Sequence, residues 1–224
     1  MATTPEVITE EVPQAPVMDD LFFHAADYIY KRKKLFTGLA IVVVAILLAA
    51  YGITQFIEYK QDLRNQALFQ IETTLNDSQL SNTQKLETAI PPLSQFILEH
   101  QGTSQASIAL FHRGSLYFNN QKLKEAEGDL RSVLSLLEKD SGFYVLGSVY
   151  LANILRDQDK GQQAIEILQA AKSVVMTDII LMELAETYLS LENKDQARQM
   201  LETLMKDYPT SLYQDRAKRL LELF

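Results

Sequence analysis

No cysteine occurs anywhere in the 224 residues. That one absence excludes a disulfide framework, a thiolate zinc site and a cysteine nucleophile. It leaves the compartment open, since a cysteine-free chain suits oxidising and reducing surroundings alike. Histidine is scarce. His24, His100 and His112 fall in three separate segments, and none belongs to a His-x-x-x-His or Glu-x-x-His pair that could hold a metal. There is no glycine-rich phosphate loop and no serine in a nucleophile-elbow setting. The carboxylate pairs Glu125/Glu127 and Glu183/Glu186 sit on polar helix turns, whereas acid–base work needs environments that push two pKa values apart. No catalytic residue, metal or cofactor is expected, and the chain is read as a non-enzyme.

Positive charge is missing from the first thirty residues, which hold Glu6, Glu10, Glu11, Asp19, Asp20 and Asp27 but no Lys or Arg. Lys31-Arg32-Lys33-Lys34 then arrives as a block. Residues 58–224 carry 23 acidic and 17 basic side chains. An acidic domain repels a polyphosphate, so nucleic acid is not an expected partner.

What the chain does have is one long uncharged run, Leu35 to Ile57, of 23 residues. As a helix it reaches roughly 35 Å, enough to cross a hydrocarbon core of about 30 Å with some tilt. Its thirteen Leu, Ile, Val and Phe residues favour insertion by roughly 4–8 kcal/mol. Tyr28 and Tyr30 flank one end and Tyr51 and Phe56 the other, where aromatic rings suit headgroups. A cleaved signal peptide is the rival reading. The run exceeds a typical apolar signal region, and more than thirty residues precede it, although Leu48-Ala49-Ala50 resembles a cleavage site. The basic block, which as a topology signal needs neither a nuclear-localisation nor a lipid-specific role, places residues 1–34 in the cytoplasm and 58–224 across the membrane. Gly38, Ala45, Ala49 and Gly52 line one stripe, where small side chains would let a second membrane helix approach.

The chain thus falls into three regions: a tail, 1–34, disordered and then helical beside the membrane; the span, 35–57; and a helical domain, 58–224. Pro5, Pro13 and Pro16 among polar residues mark the disordered part, residues 1–18. Asp19-Asp20 is a candidate N-cap for a partly apolar helix through Tyr30, which would lie on the membrane surface, dock a partner or simply flank the span. Tyr59, Leu63, Ala67, Ile71 and Leu75 recur every four residues, carrying the membrane helix on into the domain. Pro91-Pro92 is expected in the first turn of a helix reaching Glu99, with Thr88 as its cap. Ser211-x-x-Gln214 has the form of a capping box opening a last helix.

From Ser104 the chain repeats. Short helical segments alternate with polar turns at 119–121, 139–142, 158–161 and 192–194. Aligning Ala126, Ala164 and Ala197 brings Gly114, Ala152 and Ala185 into one column. Tyr117, Leu155 and Tyr188 fall in a second, and Leu130, Leu168 and Leu201 in a third. This resembles the tetratricopeptide repeat, a helix pair of about 34 residues. Small residues stand where the two helices cross closely; larger ones fill the wedge between pairs. The tryptophan usual in the first helix is replaced by Leu110, Ser148 and Leu181, and the alanines are spaced 38 and then 33 apart. The fold class is therefore all-α: a single transmembrane helix followed by a tetratricopeptide-like α-solenoid of helix hairpins.

The layout of residues 31–224, with Ile90-Pro91 and Asn193-Lys194-Asp195-x-Ala197-Arg198, resembles the ancillary subunits of the bacterial Sec translocon. The resemblance implies a single-pass inner-membrane protein with its domain in the periplasm. It also implies partnership with translocon subunits and a membrane-anchored periplasmic peptidyl-prolyl isomerase chaperone. The proline-rich tail departs from that pattern. The leading expectation is a membrane-anchored adaptor or chaperone-like subunit of protein export, binding partners or exported clients. A scaffold for another cell-envelope assembly process is the alternative, and lipid contact and a homo-oligomer are compatible with both.

In this repeat family the first helices line the inner face. The residues expected there are Ile108, Phe111, Ser115 and Phe118; Leu146, Val149, Asn153 and Arg156; Ile179, Met182, Glu186 and Leu189. Phe111, Val149 and Met182 give its centre an apolar character suited to apolar protein segments, with Arg156 and Glu186 as polar markers. The competing reading has the C-terminal helix, Ser211 to Phe224, or a second copy covering this face.

Overall fold

The computed structural model describes residues 17–171 and 175–224. Ten α-helices succeed one another among them: α1 (Val17–Lys31), α2 (Lys33–Leu75), α3 (Asn82–Glu99), α4 (Ser104–Asn119), α5 (Leu123–Leu136), α6 (Gly142–Asp157), α7 (Gly161–Ala170), α8 (Thr177–Ser190), α9 (Lys194–Asp207) and α10 (Gln214–Leu221). There is no strand among the described residues. The expected disorder of residues 1–16 lies outside them; Val17, Met18, Asp19 and Asp20 are helical, so Asp19-Asp20 does not precede the helix as a cap. The chain divides after Lys60 into two compact units.

The first unit holds α1 and the apolar part of α2. An 18-residue stretch of α2 has mean hydropathy 2.5, and none of that stretch is buried. Ile41, Leu47, Leu48 and Ile53 are all more than 60% exposed. Across the junction at Arg32, Tyr28 pairs edge-on with Phe36, ring centroids 6.2 Å apart.

The second unit is an array of hairpins: α3 packs on α4, α4 on α5, and so on in order to α10. The close crossings lie where the small residues stand. Ala126, Ala152, Ala164, Ala185 and Ala197 are all fully buried. A β-carbon placed on Gly114 would come within 3.2 Å of Leu130 Cγ, tight enough that the Leu130 side chain would have to give way. Leu130, Leu168 and Leu201 are likewise fully buried. At the position where the family usually has tryptophan, Ser148 is buried, its hydroxyl donating to the Tyr144 carbonyl at 2.8 Å.

The turn inside each hairpin is one structure used three times. Gln121, Asp159 and Glu192 take left-handed φ values of 60°, 60° and 58°. The next residue's N–H reaches back to close the turn: Lys122 to the Tyr117 carbonyl (2.9 Å), Lys160 to Leu155 (2.8 Å) and Asn193 to Tyr188 (2.9 Å). This is the six-to-one bond of a Schellman motif, satisfying a carbonyl that the helix end leaves open.

Two expected helix starts are corrected. α3 begins nine residues before Pro91, and both prolines lie inside it. Thr88 is not its cap; its hydroxyl donates to the Gln84 carbonyl at 2.7 Å. The start is Ser81, whose side chain accepts from Gln84 N–H while Gln84 Oε1 accepts from Ser81 N–H, a full capping box. Pro91 and Pro92 release the carbonyls of Glu87 and Thr88, and both residues are exposed, where solvent is available to replace those bonds. At the other end Ser211 and Gln214 form no capping box. Ser211 Oγ donates instead to Asp178 Oδ2 on α8 (2.7 Å), and Gln214 Nε2 donates to the Tyr208 carbonyl (2.7 Å). α10 opens without a side-chain cap at Tyr213.

Candidate inner-face binding site

The inner-face residues expected from the repeat register have unequal fates. Phe111, Val149 and Met182 are only 7%, 9% and 1% exposed, so the centre of the face is interior and these side chains are packing partners. Phe111 lies under Phe143 and Tyr150 of α6, at centroid distances of 5.2 and 6.0 Å. Met182 shares a cluster with Ala217 and with Tyr213, Leu220, Leu221 and Phe224, so α10 closes this end. Ile108, Ser115, Phe118, Leu146, Asn153, Arg156, Ile179, Glu186 and Leu189 are half-buried. The Ser115 hydroxyl donates to the His112 carbonyl at 2.8 Å, and Phe118 meets Tyr150 edge-on at 5.0 Å.

Asn153, Arg156 and Glu186 do come together, with two residues the register did not mark. Arg156 donates to Asn153 Oδ1 and to Glu183 Oε2 (3.4 Å) and lies 3.7 Å from Glu186 Oε2. Arg216 of α10 meets Glu186 Oε1 at 2.5 Å. Burial pushes the Glu183 carboxyl above the usual range, and the neighbouring Glu186 charge adds to the shift against the pull of Arg156. The cluster joins α6, α8 and α10.

The other end of the face is open. A cleft of about 450 Å³ runs between α2, α4 and α6. Leu68, Phe69, Ile108 and Phe143 supply an apolar lining, and Phe69 is 64% exposed. Asn65, Gln66, Glu72 and Gln105 supply polar groups. Gln105 Nε2 donates to Asn65 Oδ1 at 2.8 Å. That bond leaves the amide N–H groups of the exposed Asn65 for other partners, while Gln105 itself is buried. Glu72 Oε1 meets His112 Nε2 at 2.9 Å. Of the expected face only Ile108 belongs to the cleft. Sequence reasoning missed the α2 side because it followed the apolar stripe Ala67–Ile71–Leu75; a large aromatic off that stripe, Phe69, was the available signal.

Behind the face, Arg113 Nε and Nη2 grip the Asp129 carboxylate at 2.7 Å each, and Nη1 reaches Ser94 Oγ at 2.9 Å. The Asp129 partner holds the Arg113 guanidinium above its ordinary pKa, against the opposing effect of burial. This fork ties α3, α4 and α5 together. No group of residues suited to hold a metal ion occurs among the described residues.

Gly38, Ala45, Ala49 and Gly52 are exposed on α2, and a β-carbon on either glycine would meet nothing within 4 Å. The stripe is therefore uncovered among the described residues.

Among solved structures, the chain is similar to that of MamA, with a TM-score of 0.52 and 19% identity over 62% of this chain and 76% of that one. It is also similar to nearly identical TPR-like repeats from Podosopora anserina, with a TM-score of 0.55 and 16% identity over 71% of this chain and 93% of that one. At these identities the likeness concerns the fold. No curated protein matches the sequence significantly. The family pattern of the tetratricopeptide repeat matches residues 180–211. That of the tetratricopeptide repeat-like domain matches residues 33–178, a stretch that takes in the apolar part of α2 as well as the hairpins, and the chain belongs to this family.

Proposed function

We propose that this protein is a membrane-anchored adaptor that captures extended apolar segments of other proteins at the cleft between α2, α4 and α6. Tetratricopeptide-like arrays bind proteins, and the observation that carries the reading is the open cleft itself. Its apolar lining accepts a side chain, while Asn65 and Gln66 on its wall carry amide groups that can bond a peptide backbone. Leu35–Ile57 is the anchor. Its support is the uncharged length, the exposed apolar surface, and the family pattern that begins at Lys33. The basic block orients residues 58–224 outward, into the periplasm of a bacterial inner membrane. The uncovered Gly38–Gly52 stripe is the face offered to a neighbouring membrane helix.

The protein-export machinery is the proposed setting, with translocon subunits, a membrane-anchored chaperone or exported clients as partners. The support here is the sequence resemblance of residues 31–224. A scaffold for another envelope assembly process would use the same fold and is distinguished by its partners. Affinity purification from detergent-solubilised membranes is expected to recover translocon and chaperone subunits; recovery of cell-wall or outer-membrane assembly factors alone would overturn the export reading.

The cleft is tested separately, with the full-length protein in detergent and a fluorescent peptide carrying a central Leu or Phe. Ile108→Asp combined with Phe69→Asp is expected to weaken binding by at least about tenfold, since a buried apolar side chain contributes about 1.5–3 kcal/mol. Binding unaffected by the pair, with helicity retained, would place recognition elsewhere.

A further inference from the structure

α1 is two-sided. Phe22, Ala25, Ala26 and Ile29 project to one face; His24, Asp27 and Lys31 project to the opposite one. Among the described residues nothing covers the apolar face, where Phe22 is 65% exposed and Ile29 48%, and Phe23 and Tyr30 on its flank are 75% and 72% exposed. Such a helix, next to an apolar run of crossing length, has a natural place in the headgroup layer with its apolar face toward the acyl chains.

The basic block sits where that layer would be. Lys33 and Lys34 immediately precede Leu35, so at 1.5 Å per residue their backbones lie roughly 2–3 Å from the start of the apolar run. Lys31 pairs with Asp27 at 2.6 Å, a contact between two exposed side chains. Arg32 stands over the Tyr28 ring at 4.9 Å and Lys33 over the Tyr30 ring at 5.4 Å. A ring face takes one side of a cation and leaves its N–H donors open on the other. Three of the four cations therefore lack a carboxylate partner among the described residues.

We propose that α1 and Lys31–Lys34 together form a docking surface for anionic lipid headgroups, with α1 lying along the membrane face from which Leu35 enters. The charge complementarity lies in the block: its four cations, two of them held on aromatic rings, outnumber the three carboxylates of α1 (Asp19, Asp20 and Asp27) and meet phosphate-bearing lipids of net negative charge at headgroup depth. The proposal rests on Leu35–Ile57 being the membrane span, and the test separates the two.

Because the chain has no tryptophan, a single Phe22→Trp change introduces its only indole. The full-length variant is placed in vesicles whose acyl chains carry bromine, a contact quencher. The vesicles contain either phosphatidylcholine alone or phosphatidylcholine with phosphatidylglycerol. Quenching is expected with phosphatidylglycerol and should fall at least about threefold in phosphatidylcholine alone, or when Arg32, Lys33 and Lys34 are replaced by Gln, following the per-residue attraction to anionic surfaces. A His24→Trp variant, on the polar face, should be quenched much less than Phe22→Trp. Leu47→Trp, in mid-span, should be quenched in every vesicle. Absence of that last signal would sink the anchor itself. Leu47→Trp quenching without any at Phe22→Trp would overturn only the docking surface. Equal Phe22→Trp quenching in both lipids would show a helix held by apolar contact alone, and would overturn the role assigned to the cations.

Discussion

The two ends of the inner face bury the repeat positions alike, Phe111 as well as Met182, and differ in what the flanking helix leaves open. At the C-terminal end Met182 is sealed beneath α10; at the N-terminal end Phe69 stands 64% exposed beside a cleft. The repeat period decides which residues point inward, but the neighbouring helix in the chain decides whether they are covered. After α9 there is one more helix to lay across the face. Before α4 the equivalent place is held by α2, whose Leu68 packs inward while Phe69 and Asn65 are left on the cleft wall. The ties differ as well. The Arg113–Asp129 fork near the open end is largely buried, whereas Arg216, which holds α10, is 54% exposed.

Several substitutions would break or sharpen that contrast. Met182→Asp should be the most damaging, at roughly 3–5 kcal/mol, because it removes a buried side chain and leaves a carboxylate without a partner. Denaturant unfolding followed by circular dichroism would measure it, and Ile108→Asp at the half-buried open end should cost clearly less, about 1–2 kcal/mol, in the same assay. Parity between the two would mean that the closed and open ends have been confused.

Arg113→Ala comes next, at about 2–4 kcal/mol, since it strands Asp129 in the interior. Arg216→Ala should cost about 1 kcal/mol or less and lose its effect in high salt, as exposed pairs do. If Arg216→Ala proved the costlier of the two, α10 would be held chiefly by its ion pair, and not by the packing of Ala217 and Leu220.

The smallest effect concerns Glu183. Its folded-state pKa is raised, so the folded chain binds a proton there more tightly than the unfolded chain does. That group's contribution favours folding at low pH and is lost as pH rises from the ordinary glutamate value through the raised one. Glu183→Gln should therefore flatten the fall in stability across that window. At neutral pH it should leave the fold as stable or somewhat more so, because burial and the Glu186 charge together outweigh the pull of Arg156 on the ionised carboxyl. An unaltered pH profile would show that Glu183 is not the titrating group.

The repeat columns were legible in the sequence because close helix crossings tolerate only small side chains, and the buried alanines and Gly114 stand at those crossings. The hairpin turns were legible from their polar composition. Two features with the same spelling show where such reading stops. Ser81-x-x-Gln84 and Ser211-x-x-Gln214 have one pattern, yet only the first caps a helix; at the second, Asp178 and the Tyr208 carbonyl take the same side chains. Local sequence cannot announce a partner thirty-three residues away. The prolines of α3 misled for a related reason. Their cost depends on whether the released carbonyls face water, which is a property of packing. The cleft was illegible because it forms between three helices, and only Ile108 of its lining stood in the expected columns.

The left-handed residue in each hairpin turn has a consequence for how the array could be tuned. Gln121, Asp159 and Glu192 are exposed, and their backbones, not their side chains, close the turns. Each carries the steric penalty of an L-residue in a conformation suited to glycine. In a linear array, stability is close to a sum of unit and neighbour contributions. Glycine at the three sites should then act as three separate dials, each raising its own hairpin by roughly 0.5–1 kcal/mol. Turning them one at a time would show which hairpin unravels first.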